Sequence, residues 1–200
     1  MNSYIEETHT YLIDGEEVAS VTEICNPITF DKYNILPQHL LKYVADRGSR
    51  IHDYLEEHCL TGTLYYEEVD SDCLPYIYAF EEWYRTYRPK VLYTELMMFH
   101  KDKKYAGRTD LICIIDNKVI NIDFKSTATI NNKALSVQMY GYKELAKEGV
   151  NEFDNPINLH IEESWVLQLK KDQTYVFKKV ETDQEWFELL LKHTNKMKGK

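Results

Sequence analysis

The sequence lacks the features that mark several large classes of protein. No apolar run approaches the roughly 18 residues that a membrane span requires, so we expect no membrane protein. The N-terminal stretch has no basic region followed by an apolar one, and we therefore expect no secretory signal. Internal repeats, low-complexity tracts and Gly/Ser linkers are also missing. One folded domain of 200 residues is the simplest organisation.

Cysteine is scarce and widely spaced. The four cysteines are Cys25, Cys59, Cys73 and Cys113, and no two of them stand at C-x-x-C spacing. This spacing does not support a zinc or iron–sulfur site. Reduced thiols are the simpler interpretation, and they fit a cytoplasmic protein.

Basic residues are outnumbered by acidic ones, which gives a net charge of −9. A surface of this charge does not coat nucleic acid non-specifically. It still permits an enzyme that acts on nucleic acid, because acids gathered to hold a metal add negative charge. A basic strip is a candidate phosphate contact, although a solvated loop is the simpler interpretation; it comprises Lys101, Lys103, Lys104 and Arg108.

Turn signals and apolar periodicity divide the chain into strands and helices. Asp14-Gly15 predicts a tight hairpin, and helical spacing of apolar residues predicts a helix over about 37–60. Further helices are predicted over 75–87, 132–149 and 183–197, and strands over 91–100, 105–115, 118–125, 160–171 and 174–180. This order indicates an α/β fold with a central mixed β-sheet flanked by helices, in a single domain of residues 1–200. The hairpin (about 8–20) and the C-terminal helix (about 183–197) are expected as appendages.

Two acids and a lysine interrupt the strand-like stretch GRTDLICIIDNKVINIDFKST, residues 107–127. Asp is a poor strand former, so its presence needs a compensating reason. Asp123 and Lys125 are two residues apart and share one face of a strand, and a turn at Asp116-Asn117 places Asp110 almost opposite Asp123. Facing carboxylates repel unless a cation or proton lies between them, and Mg²⁺ prefers such oxygen ligands. The triplet therefore predicts metal-assisted hydrolysis of a phosphodiester, against the plainer alternative of a surface hairpin with solvated charges.

Four short motifs in order resemble the PD-(D/E)XK nuclease superfamily, and most closely its RecB-like exonuclease branch. They are G-x-x-x-H (Gly48, His52), G-x-x-D (Gly107, Asp110), D-x-K (Asp123, Lys125) and Q-x-x-x-Y (Gln138, Tyr142). The resemblance implies a restriction-endonuclease-like core and a DNA nuclease that uses Mg²⁺ or Mn²⁺. The iron–sulfur members of the branch need clustered late cysteines, which this chain lacks after Cys113, so no iron–sulfur cluster is expected.

The resemblance also implies a role for each matched residue. His52, Asp110, Asp123 and the Phe124 carbonyl would bind the metal, and Lys125 would position the attacking water and stabilise the transition state. Glu95 would serve a second metal or its water, and we rank it below the others. Gln138 and Tyr142 would contact DNA or brace the lysine, and Arg108 would contact the substrate.

Two alternatives remain open at this stage. The first is a catalytically inactive nuclease-fold subunit that binds DNA or docks on a partner, and the second is an unrelated metal enzyme acting on small phosphorylated molecules. No Walker-type phosphate loop is present, so a helicase motor within this chain is not supported. We expect DNA as the substrate, in recombination, repair or phage DNA processing, with a recombinase, single-strand-binding protein or helicase as a possible partner.

Overall fold

The predicted strands assemble into one mixed sheet. The structure, a computed structural model, describes residues 1–29 and 37–199, and within them the sheet has eight strands. The strands are β1 (Asn2–Ile5), β2 (Thr10–Ile13), β3 (Glu16–Ser20), β4 (Lys90–His100), β5 (Tyr105–Ile115), β6 (Lys118–Lys125), β7 (Glu163–Leu169) and β8 (Tyr175–Val180). The helices are α1 (Val21–Cys25), α2 (Gln38–Thr61), α3 (Leu74–Tyr87), α4 (Asn132–Glu148) and α5 (Gln184–Met197). The predicted α/β class, a mixed sheet flanked by helices, is confirmed.

Strand β5 lies at a fork in this sheet. Along one edge it pairs with β4 in antiparallel fashion for nearly its whole length. Along the other edge, its first two residues pair in parallel with β3, and its last five pair antiparallel with β6, from Leu111 onward. The segment 107–110 therefore lies between two diverging neighbours, and the sheet opens at that point.

Each face of the sheet has its own hydrophobic core. Helices α1, α4 and α5 cover one face, with Val21, Leu145 and Phe187 fully buried among them. Helices α2 and α3 cover the other face, where Ile51 and Trp83 pack on the strands. Because both faces are buried, β5 and β6 read as apolar runs, and any charged side chain within them needs a partner.

The two segments expected as appendages are built into the sheet and its core. Asp14 and Gly15 have positive φ values of 51° and 85°, so the predicted two-residue hairpin turn is present. The hairpin gains a further strand, β1, and joins the sheet through β3. Asp183 caps helix α5, because its side chain accepts a hydrogen bond from Trp186 N at 3.1 Å, and the helix buries Phe187 in the core.

The predicted single domain of residues 1–200 includes two stretches, 30–36 and residue 200, that lie outside the described residues. That domain assignment therefore stays a prediction. None of the helices in the described ranges is long and apolar enough to cross a bilayer.

Two helical glycines make a matched pair for testing the packing of the helices. A Cβ at Gly141 of α4 would lie 2.5 Å from Phe187 Cε2, whereas at Gly48 of α2 its nearest neighbour is Ser126 Oγ at 3.8 Å. We predict that Gly141→Ala lowers the free energy of unfolding by about 1–3 kcal/mol through overpacking. Gly48→Ala should instead raise it by about 1 kcal/mol through helix propensity. Urea unfolding of both variants measures this, and a stable Gly141→Ala protein would contradict the close α4–α5 packing.

The pH dependence of stability tests the β6–β7 edge. Glu163 Oε1 lies 2.6 Å from Lys118 Nζ, and hydrogen bonds from Lys118, and then from Trp165 and Lys179, lower the pKa of Glu163 to about 2. A carboxylate whose pKa is lower in the folded than in the unfolded protein adds stability at pH values above its unfolded pKa. That contribution to the free energy of unfolding is lost as the pH falls toward the folded pKa. Solvent screens the half-exposed lysines, so we predict that Glu163→Gln costs only about 0.5–1 kcal/mol at pH 7. The difference should shrink as the pH falls from 4.5 to about 2; a constant difference would contradict the assignment.

Candidate active site

A cleft of about 460 Å³ opens at the fork of the sheet. Strands β4, β5 and β6, helices α2 and α4, and the N-terminal strands all contribute to its wall. Eight residues predicted as site residues line it: His52, Glu95, Arg108, Asp110, Asp123, Lys125, Gln138 and Tyr142. The structure therefore brings together residues that are up to 90 positions apart in the sequence, between His52 and Tyr142.

Asp110 and Asp123 lie opposite each other on the adjacent strands β5 and β6, as expected from the predicted turn at Asp116-Asn117. The β5–β6 register pairs Ile115 with Lys118 and Leu111 with Ile122, so Asp110 stands opposite Asp123 one residue further on. Asp110 Oδ2 accepts a hydrogen bond from Phe124 N at 2.6 Å. Burial raises the pKa of both carboxyls, and it is raised further at Asp110 by the charge of Glu95 and at Asp123 by the charge of Asp110. A nearby cation is needed to keep both ionised.

Three metal-ligating side chains converge at the mouth of this pair. The donor atoms of His52, Glu95 and Asp110 all lie within 4.8 Å of one another. His52 Nδ1 is 3.6 Å from Glu95 Oε1 and 3.7 Å from Asp110 Oδ1. Burial lowers the pKa of His52, but the Asp110 and Glu95 carboxylates more than offset it and raise that pKa to about 9. In this arrangement the imidazole carries a proton between two acids.

Glu95 reaches the cluster through an unusual backbone conformation. Its φ is +47°, in the left-handed region that non-glycine residues seldom adopt, within strand β4. Such a conformation costs on the order of 1 kcal/mol and persists where surrounding contacts hold it. Arg108 supplies one such contact, because its Nε lies 2.8 Å from Glu95 Oε2. The guanidinium also lies 5.7 Å from the centre of the Tyr4 ring, which fixes the arginine in turn.

Lys125 pairs with the deepest acid of the cleft. Its Nζ lies 2.7 Å from Asp123 Oδ2, at ion-pair distance. The Asp123 side chain is 3% exposed and that of Lys125 is 30% exposed. The ammonium group is thus held by a buried carboxylate and still borders the cleft. Phe124, between them, points to the opposite face and packs in the core with Ile122 and Phe80, as strand alternation predicted.

Gln138 and Tyr142 form the α4 wall of the cleft. Gln138 Nε2 donates a hydrogen bond to Tyr142 OH at 3.0 Å. Burial and the neighbouring Asp110 and Asp123 carboxylates raise the pKa of Tyr142, so its hydroxyl stays protonated. A Cβ at Gly107 would lie 2.9 Å from Tyr142 Cε1. Glycine at this position of β5 therefore gives the tyrosine ring the space it occupies.

The donor set fits a divalent cation. Carboxylate oxygens are the ligands of Mg²⁺, and an imidazole nitrogen beside them also suits Mn²⁺. The three side chains closest together as metal ligands include Glu95, which we ranked below the other site residues from the sequence. Asp123 is not among these three, and it forms an ion pair with Lys125. For Phe124 the structure shows a contact of the backbone amide with Asp110, and a role of its carbonyl stays a prediction.

The basic strip does not form one surface on the cleft. Lys101 Nζ lies 2.7 Å from Asp154 Oδ1, and Lys103 Nζ lies 2.5 Å from Glu144 Oε1. Both lysines are in the β4–β5 turn, which begins after the end of β4 at His100, five residues beyond Glu95. Arg108 is the member of the strip that lines the cleft, and it is held by an acid there.

One wall of the cleft was not predictable from the sequence. Residues of the N-terminal strands and α1 line it: Tyr4, His9, Tyr11, Ser20, Val21, Thr22, Glu23 and Asn26. They reach the site because β3 pairs in parallel with β5 at Ala19–Tyr105 and Ser20–Ala106. Pairing over such a separation leaves no local sequence pattern, so only the hairpin itself was predictable.

Comparison with known proteins gives distant likenesses only. Neither protein families nor curated proteins match the sequence. The crystal structure of SSO0001 is 12% identical over 64% of this chain and 58% of that chain, with a TM-score of 0.38. The alkaline exonuclease LHK-Exo from Laribacter hongkongensis is 10% identical over 91% of this chain and 86% of its own, with a TM-score of 0.41. Its complex with dAMP is 11% identical, with a TM-score of 0.40. With TM-scores this low, we draw no inference from these likenesses.

Metal binding by the three-donor cluster can be measured directly. We predict that Asp110→Asn weakens Mn²⁺ binding by roughly tenfold or more in calorimetry, because it removes one charged ligand. The matched control is Asp116→Asn, which alters an exposed acid in the turn of the same strand pair and should bind Mn²⁺ as wild type does. Equal affinities of Asp110→Asn and Asp116→Asn would exclude Asp110 as a ligand.

Proposed function

We propose that this protein is a Mg²⁺- or Mn²⁺-dependent deoxyribonuclease, an exonuclease similar to the RecB-like branch of the PD-(D/E)XK superfamily. One observation carries the proposal. His52, Glu95 and Asp110 converge within 4.8 Å in one cleft, with the Asp123–Lys125 ion pair beside them. This combination of oxygen and nitrogen ligands with an adjacent ammonium suits the hydrolysis of a phosphodiester.

Each side chain of the cleft has a task in that reaction. When bound, a Mg²⁺ or Mn²⁺ ion lowers the pKa of a water and offsets the charge of the phosphate. His52, Glu95 and Asp110 would hold it, with Asp123 as a further oxygen donor. Lys125 borders the cleft, where its ammonium can orient the attacking water and stabilise charge on the phosphate. Arg108 keeps the Glu95 carboxylate in place. We therefore assign Arg108 a positioning role in preference to a contact with the substrate.

The finer assignments rest on the resemblance of the ordered motifs. They favour DNA as substrate, cutting from an end, and a role in recombination, repair or phage DNA processing. A recombinase, single-strand-binding protein or helicase would then be the partner that supplies the DNA. The inactive-subunit alternative is disfavoured by the acids and the lysine, which are all present and lie together in the cleft.

A nuclease assay tests the proposed function. Linear duplex, circular duplex and single-stranded DNA are incubated with the protein in Mg²⁺, in Mn²⁺ or in EDTA. We predict that linear DNA is degraded with either metal, that circular duplex is spared and that EDTA abolishes the reaction. Absence of degradation in every metal would leave the binding subunit as the better interpretation, and rapid nicking of circles would exclude an exonuclease.

Two lysine variants distinguish cleavage at this site from cleavage by a contaminating enzyme. We predict that Lys125→Ala lowers the cleavage rate by at least about a hundredfold, because it removes the charge beside the phosphate. Lys178→Ala, an exposed lysine on strand β8, should cleave at the wild-type rate. If Lys125→Ala digests DNA as fast as Lys178→Ala, the cutting occurs at another site.

A further inference from the structure

A second cavity, of about 580 Å³, lies beside the candidate active site. We call it the Arg47 pocket. Helix α2 forms one side, the segment between β6 and α4 forms the floor, and the end of β7 with the β7–β8 turn forms the far side. It is lined by Val44, Arg47, Tyr76, Ser126, Thr127, Ala128, Thr129, Gln168, Leu169, Lys170, Lys171 and Asp172. None of the site residues predicted from the motifs lies in it.

The pocket is a positive site on an acidic protein. Its lining has three cations, Arg47, Lys170 and Lys171, against one acid, Asp172, while the whole chain carries a net charge of −9. Asp172 is occupied within its own turn, because Oδ1 accepts hydrogen bonds from Thr174 Oγ1 at 2.6 Å and from Thr174 N at 3.2 Å. The charge of Lys170 acts on Asp172, but Arg47 and Lys171 have no acid at ion-pair distance among the described residues.

Within residues 1–29 and 37–199, Arg47 contacts aromatic rings and no acid at ion-pair distance. Its guanidinium carbon lies 5.0 Å from the centre of the Tyr76 ring and 5.9 Å from that of Tyr43. Its Nε is buried and has no hydrogen-bond partner in the described part of the chain. By contrast Arg50, one turn along the same helix, is engaged by Asp70 and Asp72 at 2.5 and 3.0 Å. A stacked guanidinium with unused donors is suited to a phosphate, which accepts hydrogen bonds from its fork.

The floor of the pocket is fixed and carries hydroxyl groups. Gln168 Nε2 donates to the carbonyls of Thr127 and Ala128 at 2.7 and 3.2 Å, which ties the segment to β7. Ser126 and Thr127 both line the pocket. The Thr127 hydroxyl donates a hydrogen bond to the Thr129 carbonyl at 3.1 Å, so Ser126 is the hydroxyl donor considered for a ligand. Serine and threonine hydroxyls are common partners of nucleic-acid phosphates.

The pocket continues directly from the candidate active site. Ser126 follows Lys125 in the chain, and Arg47 precedes His52 by five residues of one helix. Five helical residues span about 7.5 Å along the axis. A nucleic-acid strand rises about 3.4 Å per nucleotide along a duplex axis, and its successive phosphates are farther apart than that through space, so this spacing is on the order of one or two nucleotides.

From these contacts we propose that the Arg47 pocket binds a backbone phosphate of the nucleic-acid strand, about one or two nucleotides from the phosphate at the metal cluster. The proposal deepens the proposed function, on which it rests for its ligand. Arg47 and Lys171 are the cations that contact the phosphate, with Ser126 as the hydroxyl partner. The pocket would hold the strand in register with the site and would carry no sequence preference.

Binding of short fluorescein-labelled single-stranded and duplex DNA in EDTA, followed by fluorescence anisotropy over a salt series, tests this without cleavage. We predict that Arg47→Gln and Lys171→Gln each weaken binding severalfold and reduce the slope of log affinity against log salt by about 0.7–0.9. Lys192→Gln removes the same charge from the exposed face of α5 and should leave affinity and slope as in wild type. Lys171 is exposed, so its variant keeps the test valid if Arg47→Gln fails to fold.

The outcomes separate the pocket from the nuclease. If wild type cleaves DNA while both pocket variants bind with the affinity and slope of Lys192→Gln, the phosphate site is wrong and the nuclease stands. If wild type cleaves nothing but the pocket variants lose DNA binding, the site is supported without the activity. Wild type that binds no DNA overturns the proposal, as does polyglutamate binding as tightly as DNA with the same losses, which would indicate an acidic protein partner.

Discussion

Charge crowding in one cleft is the constraint on which the rest of the site depends. Three carboxylates on three neighbouring strands are brought together inside a sheet that is covered on both faces, where each would repel the others strongly. Each acid lies within ion-pair distance of at least one basic side chain. The contacts are Glu95 with His52 and Arg108, Asp110 with His52, and Asp123 with Lys125. With His52 protonated, these three acids and three cations balance in formal charge. A cluster arranged so that an imidazolium lies between two acids is also one in which a divalent cation can replace that proton.

The fork at β5 explains why the cleft is where it is. A strand paired on both edges along its whole length would bury Asp110 without access to solvent. Because β3 pairs with β5 only at Tyr105 and Ala106, and β6 only from Leu111 onward, an opening lies between them. Helix α4 closes its back, and Gly107 lets Tyr142 approach the strand closely. The fold therefore supplies rigid strands to hold the charged groups and an opening through which an extended substrate can reach them.

The parts of this site that are set by local chain geometry were predictable, and the parts set by tertiary contacts were not. Asp110 opposite Asp123 followed from a two-residue turn and strand alternation, and both were found. His52 followed only from a motif, because no helical periodicity indicates what a histidine on α2 faces. The importance of Glu95 was underrated, since a left-handed residue within a strand leaves no trace in residue types. The N-terminal wall was missed because one parallel pairing, between segments some 85 positions apart, places it there.

An acidic protein can bind a polyanion only along a path where its cations are not already neutralised. Most basic side chains near the cleft fail this condition: Lys103 is bound by Glu144, Lys101 by Asp154 and Arg50 by two aspartates. The sequence strip of lysines therefore suggested a contact that their acidic partners remove. The net negative surface repels nucleic acid elsewhere and thereby restricts its approach. If the protein binds nucleic acid as proposed, the strand is expected to pass over Arg47 and Lys171, which have no acid at ion-pair distance among the described residues. These two cations lie beside the metal cluster, so electrostatics would select the direction of approach before any base is contacted.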